Sequence, residues 1–472
     1  MGISDVGRPG SEIHVGSPSL ESVLGRLGNG YPHLFMEFPA LLFTVFAAGF
    51  LCGLPRRWAA LPLLVGASYM TLGQSIQIGP FHFTVIRLLV AAGVLRVIMR
   101  RERMAGGWIA LDWLMTGWAL WALCCSGFHQ DPSEALVSNL GLVYNGLGTY
   151  LLMRVFIRDG DDVLVICKIV IVLLAPVALE MIIENITGSN AFSIFGGVPA
   201  ESEIRNGKIR AQGPFAHSIL AGTVGAVSLP MALQFVRKNR AFALFGLMIT
   251  GSIVMASRSS GPILTTAAVL MALALWRVRR YMRTIRWGAV IAIFGLALIM
   301  KAPVYYLLSR IDLTGGSTGW HRSALIEAAI THWDEWWIGG TDYTRNWMPT
   351  GVAWNEHHTD ITNHYIKMGV IGGAPLMLFF IATLVSGFLA VGKVLRLGKR
   401  AFIERSFLAW TLGSMLFGHA TTFLSVSYFD QSVVFLYVTL AAIGSVYAAT
   451  RRLDARMKGF VECSRQTVAL AA

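Results

Sequence analysis

Long apolar blocks separated by short polar segments make up most of the chain. Thirteen blocks hold about 18 or more mostly apolar residues each, enough for a helix to cross a hydrocarbon core of roughly 30 Å. The pattern therefore predicts an all-α polytopic integral membrane protein with about 12–13 transmembrane helices. The blocks are centred near Phe46, Gly66, Leu89, Met115, Leu147, Leu173, Gly225, Met248, Val269, Phe294, Phe379, Gly413 and Tyr437.

Basic residues are concentrated in every second connection between these blocks. By the positive-inside rule, these connections and the C-terminal tail face the cytoplasm, and the connections between them form the outer face. An odd number of spans then places the N-terminus outside. The basic clusters are Arg56 and Arg57; Arg100, Arg101 and Arg103; Arg154 and Arg158; Arg237, Lys238 and Arg240; Arg277, Arg279, Arg280, Arg283 and Arg286; Lys393, Lys399 and Arg400; and Arg451, Arg452 and Lys458.

The order of apolar and polar segments divides the chain into five regions. Residues 1–35, rich in Gly, Ser and Pro, are predicted to be a flexible N-terminal tail without the features of a cleaved signal peptide. The other regions are a bundle of about ten spans over 36–308, a large periplasmic loop over 309–363, three final transmembrane helices over 364–450 and a basic cytoplasmic tail over 451–472.

Composition narrows the class of protein further. Hydrophobic residues are 55% of the chain and charged residues 14%, which excludes a soluble enzyme. The net charge of +13 comes mostly from the basic connections, and no continuous basic face with interleaved aromatic residues is visible, so we predict no nucleic-acid partner. The five cysteines have neither CxxC pairs nor metal-ligand spacing, so we expect free thiols and no metal site.

The outer loop is unusually rich in tryptophan and histidine. Six of the 14 tryptophans and four of the 11 histidines lie in residues 309–363, and His364 follows directly. Aromatic rings can stack on the C–H faces of sugars, although an aromatic belt at the membrane interface also enriches tryptophan. The residues that we predict to contact a substrate in this way are Trp320, Trp336 and Trp337.

Arginines on the outer face run against the charge rule and therefore call for an explanation. Arg210 begins the segment RAQGPFAHS, and Arg258 lies in the short turn ASRSSG. The planar guanidinium group can hold diphosphate oxygens in a bidentate manner, and this is the role we predict for both. For Arg205, Arg310 and Arg345 we favour contact with lipid phosphates or with an outer acid.

Several ionisable residues also fall within or beside the apolar blocks. Such groups are costly in lipid and usually face the interior of a bundle. For Arg87 we predict an intramembrane ion pair with an acid. The acids in or beside the apolar blocks are Asp112, Glu180 and Glu184.

Four segments together resemble the superfamily of O-antigen ligases and polysaccharide polymerases. They are RAQGPFAHSILAG, then ASRSSG, then GWHRSALIEAAITHW with WWIGG, and finally HHTDITNHYIKMGVIGG. The resemblance covers roughly residues 80–450. It implies a metal-independent membrane glycosyltransferase with a GT-C-like bundle and no cofactor, acting at the periplasmic face of the bacterial inner membrane. The implied donor is an undecaprenyl-diphosphate-linked oligosaccharide, and the acceptor is a glycan or the lipid A core, with a chain-length regulator as a further candidate partner.

The resemblance also implies roles for individual residues. Arg210, Arg258 and Arg322 match the arginines of the first three motifs, and His358 matches the catalytic histidine when it is counted back from Gly369. His357, His364 and Asp360 are close neighbours that we expect to contact substrate, and either Asp360 or Glu356 can orient the base or replace it. The chain departs from the family at Ala216, His217, Ser218, Thr359 and Lys367.

These departures favour a polysaccharide polymerase slightly over a ligase. Two other classes stay open: a transporter or flippase of a lipid-linked glycan, and a non-catalytic membrane scaffold. Against a transporter, the chain shows no internal repeat and no matched pair of broken helices.

Overall fold

The computed structural model describes residues 36–310, 319–348, 357–397 and 403–471. The predicted N-terminal tail lies outside the described residues, as do Trp354 and Glu356 of the outer loop. The protein is 75% helical, in agreement with the predicted all-α class. In the described ranges, the β-structure includes two antiparallel hairpins and an isolated bridge between Ser189 and Glu201.

The elements follow in chain order. The helices are α1 (Phe38–Gly53), α2 (Leu61–Tyr69), α3 (Val85–Arg100), α4 (Ala110–Cys124), α5 (Pro132–Val143), α6 (Thr149–Phe156), α7 (Gly160–Thr187), α8 (Ser218–Leu233), α9 (Arg240–Ala256), α10 (Ser260–Ala274), α11 (Met282–Ile299), α12 (Gly319–Thr331), α13 (Trp333–Trp336), α14 (His364–Leu397), α15 (Ile403–Thr422) and α16 (Ser432–Ala471). The strands are β1 (Ser75–Ile78), β2 (Phe81–Thr84), β3 (Glu203–Arg205) and β4 (Lys208–Arg210).

Four helical segments of the described chain are long and apolar enough to cross a membrane. They are Gly160–Thr187, Ser260–Ile299, His364–Leu397 and Ser432–Lys458. The second runs through α10, a 3-10 segment over Leu275–Tyr281, and α11. Helices α1, α8 and α9 are also apolar but shorter. These helices are those of a membrane protein, and the predicted count of about 12–13 spans stays a prediction.

Helix α8 lies at the centre of the bundle and contacts α7, α9, α10 and α15. It is built mostly from small residues, SILAGTVGAVSLPMAL, and nearly all of them are buried. A Cβ at Gly225 would come within 2.9 Å of the Thr250 carbonyl oxygen, so the glycine lets α9 approach closely. Helix α11 is the opposite case, because none of its residues is buried.

The predicted basic connections contact one another at one end of the bundle. Arg56 pairs with Asp162 at 3.0 Å, and Arg451 donates to the Gly106 carbonyl at 3.0 Å. These contacts agree with the predicted alternation of connections between two ends. Which end faces the cytoplasm stays a prediction.

The prediction that Arg87 pairs with an acid is wrong for the acids among the described residues. Its guanidinium group donates to Asn145 at 3.1 Å and to the His82 carbonyl at 2.5 Å. One of the predicted acids, Asp112, is instead fully buried with Arg154, whose Nε lies 2.9 Å from its carboxylate. A buried carboxylate with such a partner is already neutralised, and it has no need of a second arginine.

Candidate functional site

The first motif is a turn held by a buried acid. Segment RAQG begins at Arg210, the last residue of β4. The Glu184 carboxylate at the end of α7 accepts hydrogen bonds from the amides of Gln212 at 3.1 Å and Gly213 at 2.8 Å. Gly213 has a φ of +55°, which favours glycine. Glu184 thereby fixes the backbone immediately after Arg210.

Arg210 joins the first motif to the second. Its side chain is 4% exposed, and its two terminal nitrogens donate to Glu203 at 2.7 Å and to the Ser259 hydroxyl at 2.7 Å. Ser259 in turn donates to the Ser257 carbonyl at 2.8 Å, which closes the Ser-Arg-Ser turn. The structure thus places the two motifs in direct contact.

Arg258 lies at the tip of that turn. Its φ of +43° is the left-handed conformation that non-glycine residues adopt infrequently. The residue is exposed, whereas its neighbours Ser257 and Ser259 are both buried. The turn therefore presents the guanidinium group outward, one residue from the serine that binds Arg210.

Arg322 of the third motif is buried without a charged partner. It is 7% exposed, its Nε has no hydrogen-bond acceptor, and among the described residues no carboxylate lies within 4.0 Å of it. The adjacent His321 donates from Nε2 to the Asp360 carbonyl at 3.0 Å, and its buried Nδ1 has no partner. The first turn of α12 therefore buries two unpaired polar atoms, which is costly unless a ligand meets them.

Arg205 acts electrostatically on both Arg210 and Arg322. Burial lowers the pKa of Arg322, and the Arg205 charge lowers it further. Burial also lowers the pKa of Arg210, where Glu203 opposes the shift and Arg205 adds to it. We call Arg205, Arg210 and Arg322 the arginine cluster. Among the described residues Arg210 pairs with Glu203, whereas Arg322 has no carboxylate within 4.0 Å. A buried guanidinium group such as that of Arg322 is suited to binding an anion.

The loop before α16, in the last predicted outer connection, contacts the segment that follows the first turn. The Asp430 carboxylate accepts from the Ala216 amide at 2.9 Å, and Gln431 donates to the Pro214 carbonyl at 2.6 Å. Next along the chain, His217 Nδ1 accepts from the Ile219 amide at 3.1 Å and caps α8. The segment of Ala216 and His217 is thus fixed by hydrogen bonds to α8 and to the loop before α16.

His358 of the fourth motif is half-buried and lies in a group of titratable residues. Its Nδ1 lies 3.2 Å from the Thr344 hydroxyl. Burial lowers the pKa of His358, Asp342 raises it, and His357 and His129 lower it. A histidine with a lowered pKa is neutral near pH 7 and can accept a proton. Asp360, two residues later, has a pKa raised by its burial.

Two residues that we predicted to contact substrate are buried instead. His364 is 4% exposed, its Nδ1 accepts from the Tyr428 amide at 3.2 Å, and its ring stacks on Phe423 at 4.7 Å. Trp336 is 4% exposed, and its Nε1 donates to the Ala329 carbonyl at 2.9 Å. Neighbouring side chains cover both rings. The two rings therefore belong to the packed interior and leave no face on which a sugar could stack.

The other predicted contacts have accessible surface. Trp320 is 48% exposed and Trp337 is 46% exposed, so each retains a free ring face. His357 is exposed beside Tyr343, with 6.5 Å between the ring centres. These residues all belong to the outer region that carries Arg322 and His358.

Sequence reasoning missed two residues of this region. His129 and Asp342 were not singled out, although they form an ion pair at 2.5 Å. The one available signal was that both lie in predicted outer connections.

Comparison with known proteins adds no relative, and it leaves the resemblance to O-antigen ligases as an expectation. No protein-family model matches the chain, and no curated protein matches it. Among the described side chains, no group of three His, Cys, Asp or Glu residues is placed to hold a metal ion.

Proposed function

We propose that this protein is a glycosyltransferase of the O-antigen ligase and polymerase type, with a GT-C-like bundle of about 12–13 spans in the bacterial inner membrane. It moves a glycan from an undecaprenyl-diphosphate carrier to an acceptor at the periplasmic face. The observation that carries the proposal is the buried Arg322. Its Nε has no hydrogen-bond partner among the described residues, and burial and the Arg205 charge both lower its pKa. A diphosphate group supplies the negative charge that Arg322 does not receive from any described residue.

The proposed reaction is a displacement at the anomeric carbon of the donor. The acceptor oxygen forms a bond to that carbon, and the bond between the carbon and the diphosphate oxygen breaks. The electron pair leaves with the diphosphate, whose growing charge the arginine cluster stabilises. Arg258 is exposed next to Ser259 and binds the same group when substrate is present.

His358 accepts the proton of the acceptor hydroxyl. When its Nδ1–H donates to the Thr344 hydroxyl oxygen, Nε2 carries the lone pair that a general base requires. The hydrogen bond between His321 and the Asp360 carbonyl ties the segment of His358 to the start of α12, where Arg322 lies. The arginine proposed to bind the glycan donor and the histidine proposed as base thus lie on segments that contact each other.

The nature of the acceptor distinguishes a polymerase from a ligase. Of the two, we slightly favour a polymerase of an exported polysaccharide. The test incubates purified protein in lipid nanodiscs with an isotope-labelled lipid-linked repeat unit. Long chains formed without added acceptor indicate a polymerase, whereas transfer only to lipid A core indicates a ligase. Movement of the label across liposomes with no new glycosidic bond would contradict the proposal and indicate a transporter.

A further inference from the structure

The 3-10 segment between α10 and α11, together with the start of α11, carries an exposed group of arginines. No acidic residue occurs in the sequence between Glu203 and Asp312, so this part of the chain supplies no local counter-charge. Three aromatic residues, Trp276, Tyr281 and Trp287, lie among the arginines. We call these arginines and aromatic residues the basic patch. Its arginines, all of them exposed, are Arg277, Arg279, Arg280, Arg283 and Arg286.

The contacts of these arginines leave their charge uncompensated. The Cζ atom of Arg279 lies 3.9 Å from the centre of the Trp276 ring, and its Nη1 donates to the Trp276 carbonyl at 2.9 Å. Arg280 Cζ lies 5.2 Å from the centre of the Tyr281 ring. Within the described chain, no carboxylate lies within 4.0 Å of any of the five. Rings and carbonyl groups orient the guanidinium groups, but they do not neutralise them.

Contacts with α15 fix the position of the patch. The centre of the Trp276 ring lies 5.3 Å from that of Phe407 and 5.8 Å from that of Trp410. At the start of the same helix, Glu404 pairs at 2.9 Å with Lys238, which belongs to the predicted basic connection between α8 and α9. The basic patch therefore lies at the end of the bundle where predicted basic connections meet, and its arginines extend from a packed base.

Basic residues of other connections at this end are used differently. Arg56 pairs with Asp162 at 3.0 Å, and Lys238 pairs with Glu404. In these pairs, a positive charge holds one part of the protein to another. The five arginines of the basic patch form no such pair among the described residues, so they remain available to an anion from outside the chain.

The surroundings of the patch indicate the source of that anion. Apolar α10 ends just before it, and none of the residues of α11, which continues from it, is buried. Tyr281 is 54% exposed and Trp287 is 61% exposed. Such rings are typical of the headgroup level of a membrane, and the guanidinium fork matches phosphate oxygens.

We propose that the basic patch binds the headgroup phosphates of anionic phospholipid, and that this binding fixes the end of α11 at the membrane surface. The uncompensated positive charge is complementary to an anionic headgroup, and the aromatic rings and the exposed apolar helix match the membrane on either side of it. The proposal does not depend on the proposed glycosyltransferase activity.

The experiment measures lipid binding by the full-length protein in dodecyl maltoside micelles. Fluorescently labelled phosphatidylglycerol is the anionic probe, labelled phosphatidylcholine is the zwitterionic one, and fluorescence anisotropy gives each Kd. Each arginine near an anionic surface contributes roughly a fivefold preference, so Arg279→Gln/Arg280→Gln/Arg283→Gln should bind phosphatidylglycerol about a hundredfold more weakly than wild type. A second variant, Arg277→Gln/Arg283→Gln, keeps both ring contacts and should weaken binding roughly 25-fold, which keeps the test valid if the first variant is unstable.

The matched control is Arg100→Gln/Arg101→Gln/Arg103→Gln, which removes three exposed arginines from another predicted basic connection and changes the net charge equally. It should leave the Kd for phosphatidylglycerol nearly unchanged. All three variants should unfold at the wild-type temperature in the absence of anionic lipid, because the replaced side chains are exposed.

Tight binding of phosphatidylglycerol that only the patch variants lose supports the proposal. Equal affinity of the wild type for both lipids overturns it, as does an equal loss of affinity in the patch variants and in the control, since net charge would then explain the binding. A polyglutamate peptide that binds the patch more tightly than phosphatidylglycerol would indicate an acidic protein partner and would also overturn it.

Discussion

Substitution of Arg322 by methionine should make the protein more stable and less active at the same time. The guanidinium group is 7% exposed, and among the residues described no acid pairs with it. Methionine fills a similar volume and removes a charge that is buried at a cost. Replacing buried charged groups by apolar ones of similar size is neutral or stabilising by about 1–4 kcal/mol, so we expect a gain in that range.

The same change removes a contact to the leaving diphosphate. Loss of one preorganised donor costs on the order of 3 kcal/mol of transition-state stabilisation, or roughly a hundredfold in turnover. Diphosphate binding is measured separately, by thermal unfolding with and without inorganic diphosphate. A ligand at a hundred times its Kd stabilises the native state by about 2.7 kcal/mol, and Arg322→Met should lose most of this shift.

The control is Arg345→Met, which removes a half-buried arginine from the same outer region. It should alter neither turnover nor the response to diphosphate. The reasoning fails if Arg322→Met lowers the unfolding temperature and keeps the full diphosphate shift. Arg322 would then be a structural residue, and its unpaired Nε would not mark an anion site.

Three further predictions concern the other motifs. Arg258→Ala should lower turnover of labelled donor about a hundredfold without changing the unfolding temperature, because the exposed side chain supports no packing. Arg210→Lys should lower turnover in the same assay, because an ammonium group cannot reproduce the two-nitrogen contact of the guanidinium group with Glu203 and Ser259. His358→Ala should lower turnover by about 10²- to 10⁴-fold while diphosphate binding persists. Equal turnover in wild type and any of these variants, at matched expression, would remove that residue from the mechanism.

Much of the fold could be predicted, because apolar blocks and basic connections are local patterns. Block length predicts the long apolar helices, and the alternation of arginines predicts which connections lie together. The contact between Arg210 and the Ser-Arg-Ser turn fits the same logic, since both lie in outer connections beside α8 and α9. In each case a short window of sequence carries the information.

The rest depends on contacts between distant segments that no local pattern reports. Asp342 meets His129 across 213 residues, and neither residue has an unusual neighbourhood in the sequence. His364 and Trp336 look like exposed polar and aromatic residues of a loop, yet each is buried by packing against other elements. The loop composition therefore indicated the region of the candidate site but not which of its rings are exposed.

The hydrogen bonds that close the outer end have a consequence for how the protein is made. The Ala216 amide donates its hydrogen bond to Asp430, which lies 214 residues later in the chain. At about 5–20 residues per second, a ribosome needs roughly 10–40 s to add that stretch. The first motif is thus synthesised long before Asp430 can accept its hydrogen bond. A chain released early contains the arginines but lacks this contact. The backbone of the first motif therefore gains this hydrogen bond only when the end of the chain is being made.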